Sequence, residues 1–482
     1  MSGNQRGLAA LSATAAFVII GCTWAFAIAR YGGPDEPAHV LRAVAVAHDD
    51  LLGKPVDGLE PGYRQVTVPT PLGSGDPSCF RHHETITAAC AVVTPGPGTT
   101  DVATSAGTVP PWYYAVVGSI TRLLSSGRSV LGYRMASVVL CAIILGHSFA
   151  RSRRFGASAW LVAALTPSAW FLIGVVGTSG IEIALVLLAL IEAVGRFHQP
   201  VEESLGRVTL PLAACLLIRP EAVIDVAVVA LFLAPTIARP ITRRTLITLA
   251  APFAVVGVAS VAWNRWTGFV FDDRRTADTR TAIATLGRSL GRIPLTVHQA
   301  VGALGWNEFF APVIAQLVWA VTLAFAAWWV FTHSSDRWWH LRWAVAALVL
   351  PAVVDVIVHR QIGSIWQGRY SIVFAIGGVL YAARCKPPSP VVMRVLVMAA
   401  AIAEVLTLWQ SLRRYMVGLD GSLLLRHAAW TPSINPWLLL ALNGAAVAWL
   451  ARQALSSGSD VAEHVDDVVG RAGVVVDGQL ST

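Results

Sequence analysis

Charged residues are scarce in this sequence of 482 residues: Asp, Glu, Lys and Arg together make up only 13% of it. A typical soluble protein is about 25% charged, and so little charge cannot coat a water-facing surface of this size. The composition therefore excludes a soluble enzyme, a nucleic-acid-binding module, a coiled coil and a disordered protein. Apolar residues make up 55% of the chain, and its 18 tryptophans suit the interfaces of a membrane.

Cysteine is also rare, with six residues, too few for a disulfide scaffold and without the spacing of a zinc site. Four of the six lie in apolar runs or in a short basic loop. Cys79 and Cys90 differ, because both lie in one long polar segment. If that segment is exported, a disulfide between them is expected.

Apolar runs recur along the whole chain, and several approach the twenty residues that a membrane-spanning helix needs. They fall at about residues 8–29, 131–150, 158–176, 181–194, 208–218, 222–237, 246–263, 312–331, 343–358, 371–383, 391–409 and 436–450. The predicted fold class is therefore an all-α polytopic membrane protein with about 12 transmembrane helices, within a range of 11 to 13. No internal repeat is evident, which argues against a transporter built from inverted repeats.

Four short basic loops indicate how the chain is oriented, at residues 151–154, 239–244, 337–342 and 384–394. Alternating crossings from a cytosolic N-terminus place all four loops in the cytosol, as the positive-inside rule requires. The formal net charge of +8 then reflects these loops and anionic lipid headgroups rather than nucleic acid. We therefore expect a multi-pass protein of the cytoplasmic membrane with both termini in the cytosol.

One long polar segment, residues 31–110, follows the first span and is rich in Pro, Gly and Thr. The same alternation makes it a large extracytoplasmic loop, in which we expect interfacial helices. Together with the spans it forms one predicted transmembrane domain, residues 1–453. Residues 454–482 become polar and acidic, and we expect them to be a disordered cytosolic tail.

The sharpest local motif is Pro-Asp-Glu-Pro-Ala-His at residues 34–39, immediately after the first span. Its prolines suit the first turn of a helix, and Asp35 and Glu36 would lie at the positive end of the helix dipole. His39 follows Asp35 by one turn on the same face. Such a carboxylate pair could deprotonate a hydroxyl or bind a divalent cation, and simple helix capping is the alternative.

A second acidic residue, Glu182, opens an apolar run in a predicted outer turn. Burying it there is costly without a partner or a function, although Ser179 and Glu182 also fit a capping box. Arg219, Arg369 and Arg413 are predicted on the outer side, where arginine works against the orientation bias. Because guanidinium groups donate paired hydrogen bonds to phosphate, the set suggests a phosphate site; headgroup contacts and salt bridges are the alternative.

Two further outer segments combine glycine with aromatic and polar residues: Gly-Ala-Leu-Gly-Trp at 302–306 and Trp-Gln-Gly-Arg-Tyr at 366–370. Aromatic residues at this depth are usually interfacial anchors. With Gln and Arg beside them, and with glycine allowing close backbone approach, these segments also suit a site for a sugar and a phosphate.

These segments occur in one order with Pro-Pro-Trp-Tyr-Tyr at 110–114 and Ser-Gly-Ile-Glu-Ile at 179–183. Together, over residues 8–450, they resemble the bacterial membrane-protein family catalogued as domain of unknown function 2142, which is similar to the GT-C glycosyltransferases. The resemblance implies a GT-C-like bundle, a sugar donor carried on polyprenyl phosphate, and Asp35 as the catalytic base with Glu36 supporting it. The sequence departs from the family pattern at Gly177-Thr178, where Asn-Pro is often expected, and at Asn307-Glu308, which replace a more usual Leu-Asp.

We therefore expect an inverting glycosyltransferase that moves a sugar from polyprenyl phosphate to a glycan, lipid or protein of the cell envelope, with its active site outside the cytoplasm. Asp35 and Glu36 are the expected catalytic residues. The expected substrate-binding residues are His39, Glu182, Arg219, Trp306, Trp366, Gln367, Arg369, Tyr370 and Arg413. A divalent metal held by Asp35, Glu36 and Glu182 is an alternative that no strict ligand spacing supports. The rival functions are a lipid-linked glycan flippase or transporter, and a non-catalytic envelope scaffold.

Overall fold

The computed structural model describes residues 3–59, 62–124, 127–198, 205–234, 243–268, 280–362 and 366–477. Within these ranges the chain is mostly helical, which confirms the predicted fold class. Its helices are α1 Gly3–Ala27, α2 Glu36–Ala47, α3 Trp112–Leu123, α4 Val130–Arg154, α5 Ser158–Ala164, α6 Pro167–Ile173, α7 Thr178–His198, α8 Gly206–Ile218, α9 Val223–Leu233, α10 Arg243–Thr267, α11 Ala282–Gly291, α12 Ile293–Gly302, α13 Val313–His333, α14 Arg337–Ile362, α15 Ile372–Leu380, α16 Pro390–Met416 and α17 Pro436–Asp477.

Seven of the described helices are long and apolar enough to cross a membrane: α1, α4, α7, α13, α14, α16 and α17. Between them lie shorter apolar helices, among them α8 and α9. The number of crossings, about twelve, therefore stays a prediction, while the multi-pass membrane character stands. Helix α17 passes the boundary predicted at residue 454, and the disorder of the tail in solution also stays a prediction.

The run predicted as one crossing at residues 158–176 is divided into two short helices, α5 and α6. The break falls at Thr166-Pro167, because proline cannot continue a helix without losing a hydrogen bond. Thr166 caps the new helix by accepting a hydrogen bond from the backbone N–H of Ala169 at 3.1 Å. Both short helices are buried throughout, so this broken segment lies inside the bundle rather than against lipid.

The long polar segment contains a small antiparallel sheet in the order β1-β2-β3, made of Lys54–Pro55, Arg64–Pro69 and Thr99–Thr104. Arg64 pairs with Thr104 and Pro69 with Thr99. The sequence predicts helices in this segment, and α2 is one, but the strands were not expected. Helix α2 packs against β2 and β3, so the sheet covers the segment that carries the Pro-Asp-Glu-Pro-Ala-His motif.

Cys79 and Cys90 are joined by a disulfide with a Cα–Cα distance of 6.1 Å. The bond closes part of the loop between β2 and β3. A buried arginine near the end of α16, Arg414, holds the same loop by donating to the carbonyl groups of Phe80 and Ile86, each at 2.7 Å. The loop is thereby attached to the helical bundle.

Candidate active site

The backbone turns sharply between α1 and α2 at Asp35, which has φ 59° and ψ 6°. Few residues other than glycine adopt this left-handed conformation, and aspartate is among those that tolerate it. Asp35 occupies the N-cap position of α2, yet its side chain makes no capping hydrogen bond. Because its side chain is 47% exposed, the carboxylate is available for contacts beyond its own helix.

Arg369 is the partner of Asp35. Its Nη2 donates to Asp35 Oδ2 at 2.8 Å and to the Tyr370 hydroxyl at 3.1 Å. Burial acts to raise the pKa of Asp35, but the positive charge of Arg369, helped by that of Arg219, holds it below its usual value. Asp35 is therefore ionised at neutral pH.

These contacts leave one N–H of the Arg369 guanidinium without a hydrogen bond in the described part of the chain. Its side chain is only 14% exposed, and within the part of the chain that the structure describes its Nε has no hydrogen-bond partner. Buried polar groups in proteins are nearly always hydrogen-bonded, so this N–H retains the capacity to donate to a further acceptor.

A second ion pair adjoins the first. Arg219, just after α8, donates from Nη1 to Glu182 Oε2 at 2.5 Å. The guanidinium of Arg219 lies 4.7 Å from the ring centroid of Tyr370, and that of Arg369 lies 5.1 Å from it. The structure thus joins Asp35, Arg369, Tyr370, Arg219 and Glu182 into one continuous group, which we call the Asp35 cluster.

The Asp35 cluster collects residues from the turn after α1, the start of α7, the end of α8 and the turn before α15. The alternation of crossings predicted from the sequence, starting at a cytosolic N-terminus, assigns all four of these helix ends to the same side of the membrane. The contacts therefore agree with that alternation. The sequence predicts that this side is the extracytoplasmic one.

His39 lies one turn beyond Asp35 and contacts Tyr114. Its Nδ1 is 2.7 Å from the Tyr114 hydroxyl, and the two rings stack with centroids 5.9 Å apart. Burial lowers the pKa of His39 to about 4, although the charge of Asp35 acts in the opposite direction. His39 is therefore neutral at pH 7 and is suited to accept or donate a hydrogen bond rather than to supply a positive charge.

Glu36 has a different environment from Asp35. It is fully buried and forms two hydrogen bonds with Arg134, at 2.6 and 2.7 Å. Its Oε1 also accepts from the backbone N–H of Val176 at 3.1 Å. Arg134 in turn donates to three carbonyl groups at the end of α1, so Glu36 fixes the helix end that precedes Asp35.

Each carboxylate of the predicted metal set has its own arginine: Asp35 pairs with Arg369, Glu36 with Arg134, and Glu182 with Arg219. Among the described residues, no group of three or more His, Cys, Asp or Glu side chains is placed to hold a metal ion. The structure therefore does not assemble the three carboxylates into one site.

Hydrogen bonds and close packing hold the Trp-Gln-Gly-Arg-Tyr segment in place around Arg369. Trp366 is buried, and its backbone N–H donates to Asp355 Oδ1 at 3.1 Å. Gln367 accepts from Asn307 Nδ2 at 3.2 Å. Gly368 lies so close to α12 that a Cβ atom would overlap a side chain there, which explains the need for glycine. Trp366 and Gln367 thus position the turn that carries Arg369.

Residues 17–377 match the family described as predicted membrane protein (DUF2142). The chain belongs to this family. No curated protein matches its sequence. The crystal structure of ArnT from Cupriavidus metallidurans bound to undecaprenyl phosphate is similar to this DUF2142 chain with a TM-score of 0.46 and 15% identity, over 96% of this chain and 80% of that one.

Two more of the predicted substrate-binding residues of this DUF2142 protein lie outside the Asp35 cluster. Trp306 donates from Nε1 to the carbonyl of Tyr31 at 3.1 Å and lines a cavity that Asp35 also lines. Arg413 donates to the carbonyl groups of Leu419 and Gly421. Arg413 therefore closes the loop after α16 and makes no contact with the Asp35 cluster among the hydrogen bonds of the described residues.

Sequence reasoning missed three residues that position the site of this DUF2142 protein. Arg134 clamps Glu36, Tyr114 contacts His39, and Asp355 holds the turn before Arg369. Arg134 and Asp355 did carry a signal, because ionisable residues within apolar runs are costly and usually have a partner or a function. The partners themselves could not be identified from the sequence.

Proposed function

We propose that this protein is an inverting glycosyltransferase that moves a sugar from a polyprenyl-phosphate donor to a hydroxyl of a cell-envelope acceptor. One observation carries the proposal. A half-exposed carboxylate, Asp35, pairs with a buried guanidinium, Arg369, which keeps an unpaired N–H within the described part of the chain. This juxtaposes a base for a hydroxyl with a cation for a phosphate.

Asp35 acts as the base in this proposal. The acceptor oxygen forms a bond to the anomeric carbon while the bond from that carbon to the phosphate oxygen breaks. The proton of the acceptor hydroxyl passes to the Asp35 carboxylate, and the electron pair of the broken bond leaves with the lipid phosphate. One displacement of this kind inverts the anomeric configuration, and a positioned base contributes about 10²–10⁴ in rate.

Arg369 and Arg219 bind the departing phosphate. Arginine suits this role because its planar fork donates paired hydrogen bonds to phosphate, and fixed cations stabilise the charge that develops there. Arg369 couples the departure of the phosphate to the proton transfer at Asp35, because it contacts both groups. When it turns toward the phosphate, its hold on Asp35 weakens, so the burial of Asp35 raises the pKa of that carboxylate and makes it a stronger base.

An apolar cavity offers a place for the polyprenyl chain. It has a volume of about 250 Å³ and lies among α12, α13, α14 and α15. Ser371, two residues after Arg369, lies on its wall, and Trp319, Trp343 and Phe374 also line it. A phosphate bound to Arg369 would therefore bring its attached chain close to the cavity.

The two alternative functions, a lipid-linked glycan flippase and a non-catalytic scaffold, differ from a glycosyltransferase in what they do to the sugar donor. Purified protein in nanodiscs is incubated with short-chain polyprenyl-phosphate monosaccharides and a heat-treated extract of the native envelope as the source of acceptor, and binding of the donor and release of polyprenyl phosphate are measured by mass spectrometry. The enzyme binds the donor and releases polyprenyl phosphate. Binding without release, together with transbilayer movement of the donor in proteoliposomes, would favour a flippase. Absence of binding across a panel of sugars would favour a scaffold and would contradict the proposal.

A further inference from the structure

A larger cavity adjoins Asp35 on the side of the sheet. Its volume is about 560 Å³, within the range of roughly 300–1,000 Å³ that is usual for small-ligand sites. It lies between α2, the end of β3 and the loop that follows β2, and Trp306 also lines it. Asp35 therefore lines this cavity as well as pairing with Arg369.

The walls of this cavity are fixed by hydrogen bonds. Tyr31 donates from its hydroxyl to the carbonyl of Leu72 at 2.6 Å, and Arg30 donates to the carbonyl of Ser74 at 3.3 Å. On the opposite wall, the hydroxyl of Thr104 donates to a carbonyl of α2 at 3.0 Å. A preformed cavity binds its ligand at a lower cost in ordering than a flexible one.

One wall presents an anchored aromatic ring. The indole N–H of Trp306 donates to the carbonyl of Tyr31, and the guanidinium of Arg81 lies over one face of the Trp306 ring, 4.7 Å from its centroid. Tyr63 is a second aromatic residue on the wall. A sugar ring has an apolar C–H face and a hydroxyl-bearing edge, so it matches a fixed aromatic face surrounded by polar groups.

The charges of the cavity differ from those of the Asp35 cluster. The cavity is lined by two carboxylates, Asp35 and Asp76, and by one guanidinium, that of Arg81. The cluster supplies two arginines that are largely buried. An anionic ligand would meet the carboxylates of Asp35 and Asp76, and an aliphatic chain would place apolar surface against the charged groups of Asp35, Asp76 and Arg81. A neutral polyhydroxyl compound avoids both unfavourable contacts, because it carries no negative charge and can hydrogen-bond to the charged groups.

We propose that this cavity binds the acceptor, and that the acceptor is a neutral glycan whose sugar ring packs against Trp306 while one hydroxyl reaches Asp35. The inference rests on the proposed function, because it takes Asp35 as the base. The donor phosphate then binds at Arg369 and the acceptor enters from the side of the sheet. The carboxylate then contacts the acceptor hydroxyl, and the anomeric carbon of the donor lies between that hydroxyl and the phosphate, as a single displacement requires.

Ligand-observed saturation-transfer NMR tests the inference without any donor present. The protein in nanodiscs is mixed with neutral di- to tetrasaccharides of hexoses and pentoses, and separately with a tetragalacturonate as the anionic counterpart. We expect the neutral glycans to bind and the tetragalacturonate to bind more weakly. Trp306→Leu should weaken binding about tenfold, while Trp306→Phe keeps an aromatic face and should lose less. Trp112→Leu, which removes an exposed tryptophan of α3, is the control and should bind as the wild type does.

Three outcomes would overturn the inference: no neutral glycan binds, only the tetragalacturonate binds, or Trp306→Leu binds as well as the wild type at unchanged thermal stability. Equal losses in Trp306→Phe and Trp306→Leu would also overturn it, because they would point to the hydrogen bond with Tyr31 rather than to stacking. Polyprenyl-phosphate binding is measured on the same samples. If that lipid binds while glycans do not, this inference fails and the proposed function stands; if glycans bind and the lipid does not, the proposed function fails.

Discussion

Replacing Arg369 with glutamine removes the charge and the planar fork that the proposal assigns to phosphate binding. Arg369 is buried, donates to Asp35 at 2.8 Å and keeps an unpaired Nε–H in the described structure. A hydrogen bond between charged groups contributes about 1.5–3 kcal/mol, so the affinity for polyprenyl phosphate should fall about ten- to a hundredfold. Arg369→Lys retains the charge without the fork and should lose less.

The same variant should change the pH dependence of transfer. Burial acts to raise the pKa of Asp35, and Arg369 is the main charge that lowers it. Without that charge the pKa of Asp35 should rise, so the carboxylate becomes protonated at a higher pH than in the wild type. The acid limb of the profile of kcat/KM against pH should therefore move upward in Arg369→Gln, and Arg369→Lys should move it back.

Affinity is measured by titrating short-chain polyprenyl phosphate into protein in nanodiscs, with thermal unfolding recorded in parallel. Arg413→Gln is the matched control, because Arg413 bonds to its own loop and should leave the affinity unchanged. The reasoning is refuted if a stable Arg369→Gln protein binds polyprenyl phosphate like the wild type. It is also refuted if Arg369→Gln and Arg413→Gln lose affinity equally.

Three further substitutions or measurements test the supporting structure. Glu36→Gln leaves a buried guanidinium uncompensated and should lower the free energy of unfolding by about 3–5 kcal/mol; a stable but inactive variant would instead make Glu36 part of the chemistry. Asp355→Ala leaves the backbone N–H of Trp366 unpaired, which should cost about 1–3 kcal/mol of stability and weaken donor binding, and unchanged donor affinity would contradict its positioning role. Mass spectrometry of non-reduced peptides should show Cys79 linked to Cys90, whereas two free thiols in protein from native membranes would contradict the bond.

The sequence predicted the helical membrane architecture because run length is a direct consequence of membrane thickness. The broken segment at α5 and α6 was predicted as one crossing, although Thr166-Pro167 carries both a capping residue and a helix breaker. These two residues are enough to predict the break, but the hydrophobicity of the whole run favoured one continuous helix.

The sheet was missed for a different reason. Strand β2, Arg64–Pro69, alternates buried and exposed residues from Val66 to Val68, which is a strand signal. The abundance of Pro and Gly around it indicated irregular loop instead. The pairing of β2 with β3 joins residues about thirty-five positions apart, and nothing local specifies that partner.

The candidate site was only partly predictable. Asp35 and Glu36 are adjacent in one motif, and the sequence does not distinguish their environments. The fold does, because it pairs Glu36 with a residue 98 positions away and Asp35 with one 334 positions away. Such long-range partners decide which carboxylate is buried in an ion pair and which remains half exposed.

Asp35→Asn tests most directly the claim that Asp35 is the base of a glycosyl transfer. Asparagine also tolerates the left-handed backbone conformation at this position, so the turn should be retained. The account predicts a loss of transfer of about a hundred- to ten-thousandfold, with polyprenyl-phosphate affinity and thermal stability close to those of the wild type. Asp101→Asn changes an exposed carboxylate of β3 that bonds to Thr67 and Gln65, and it should transfer sugar normally. Near-normal transfer by Asp35→Asn, measured with the same donor and acceptor, would contradict the account.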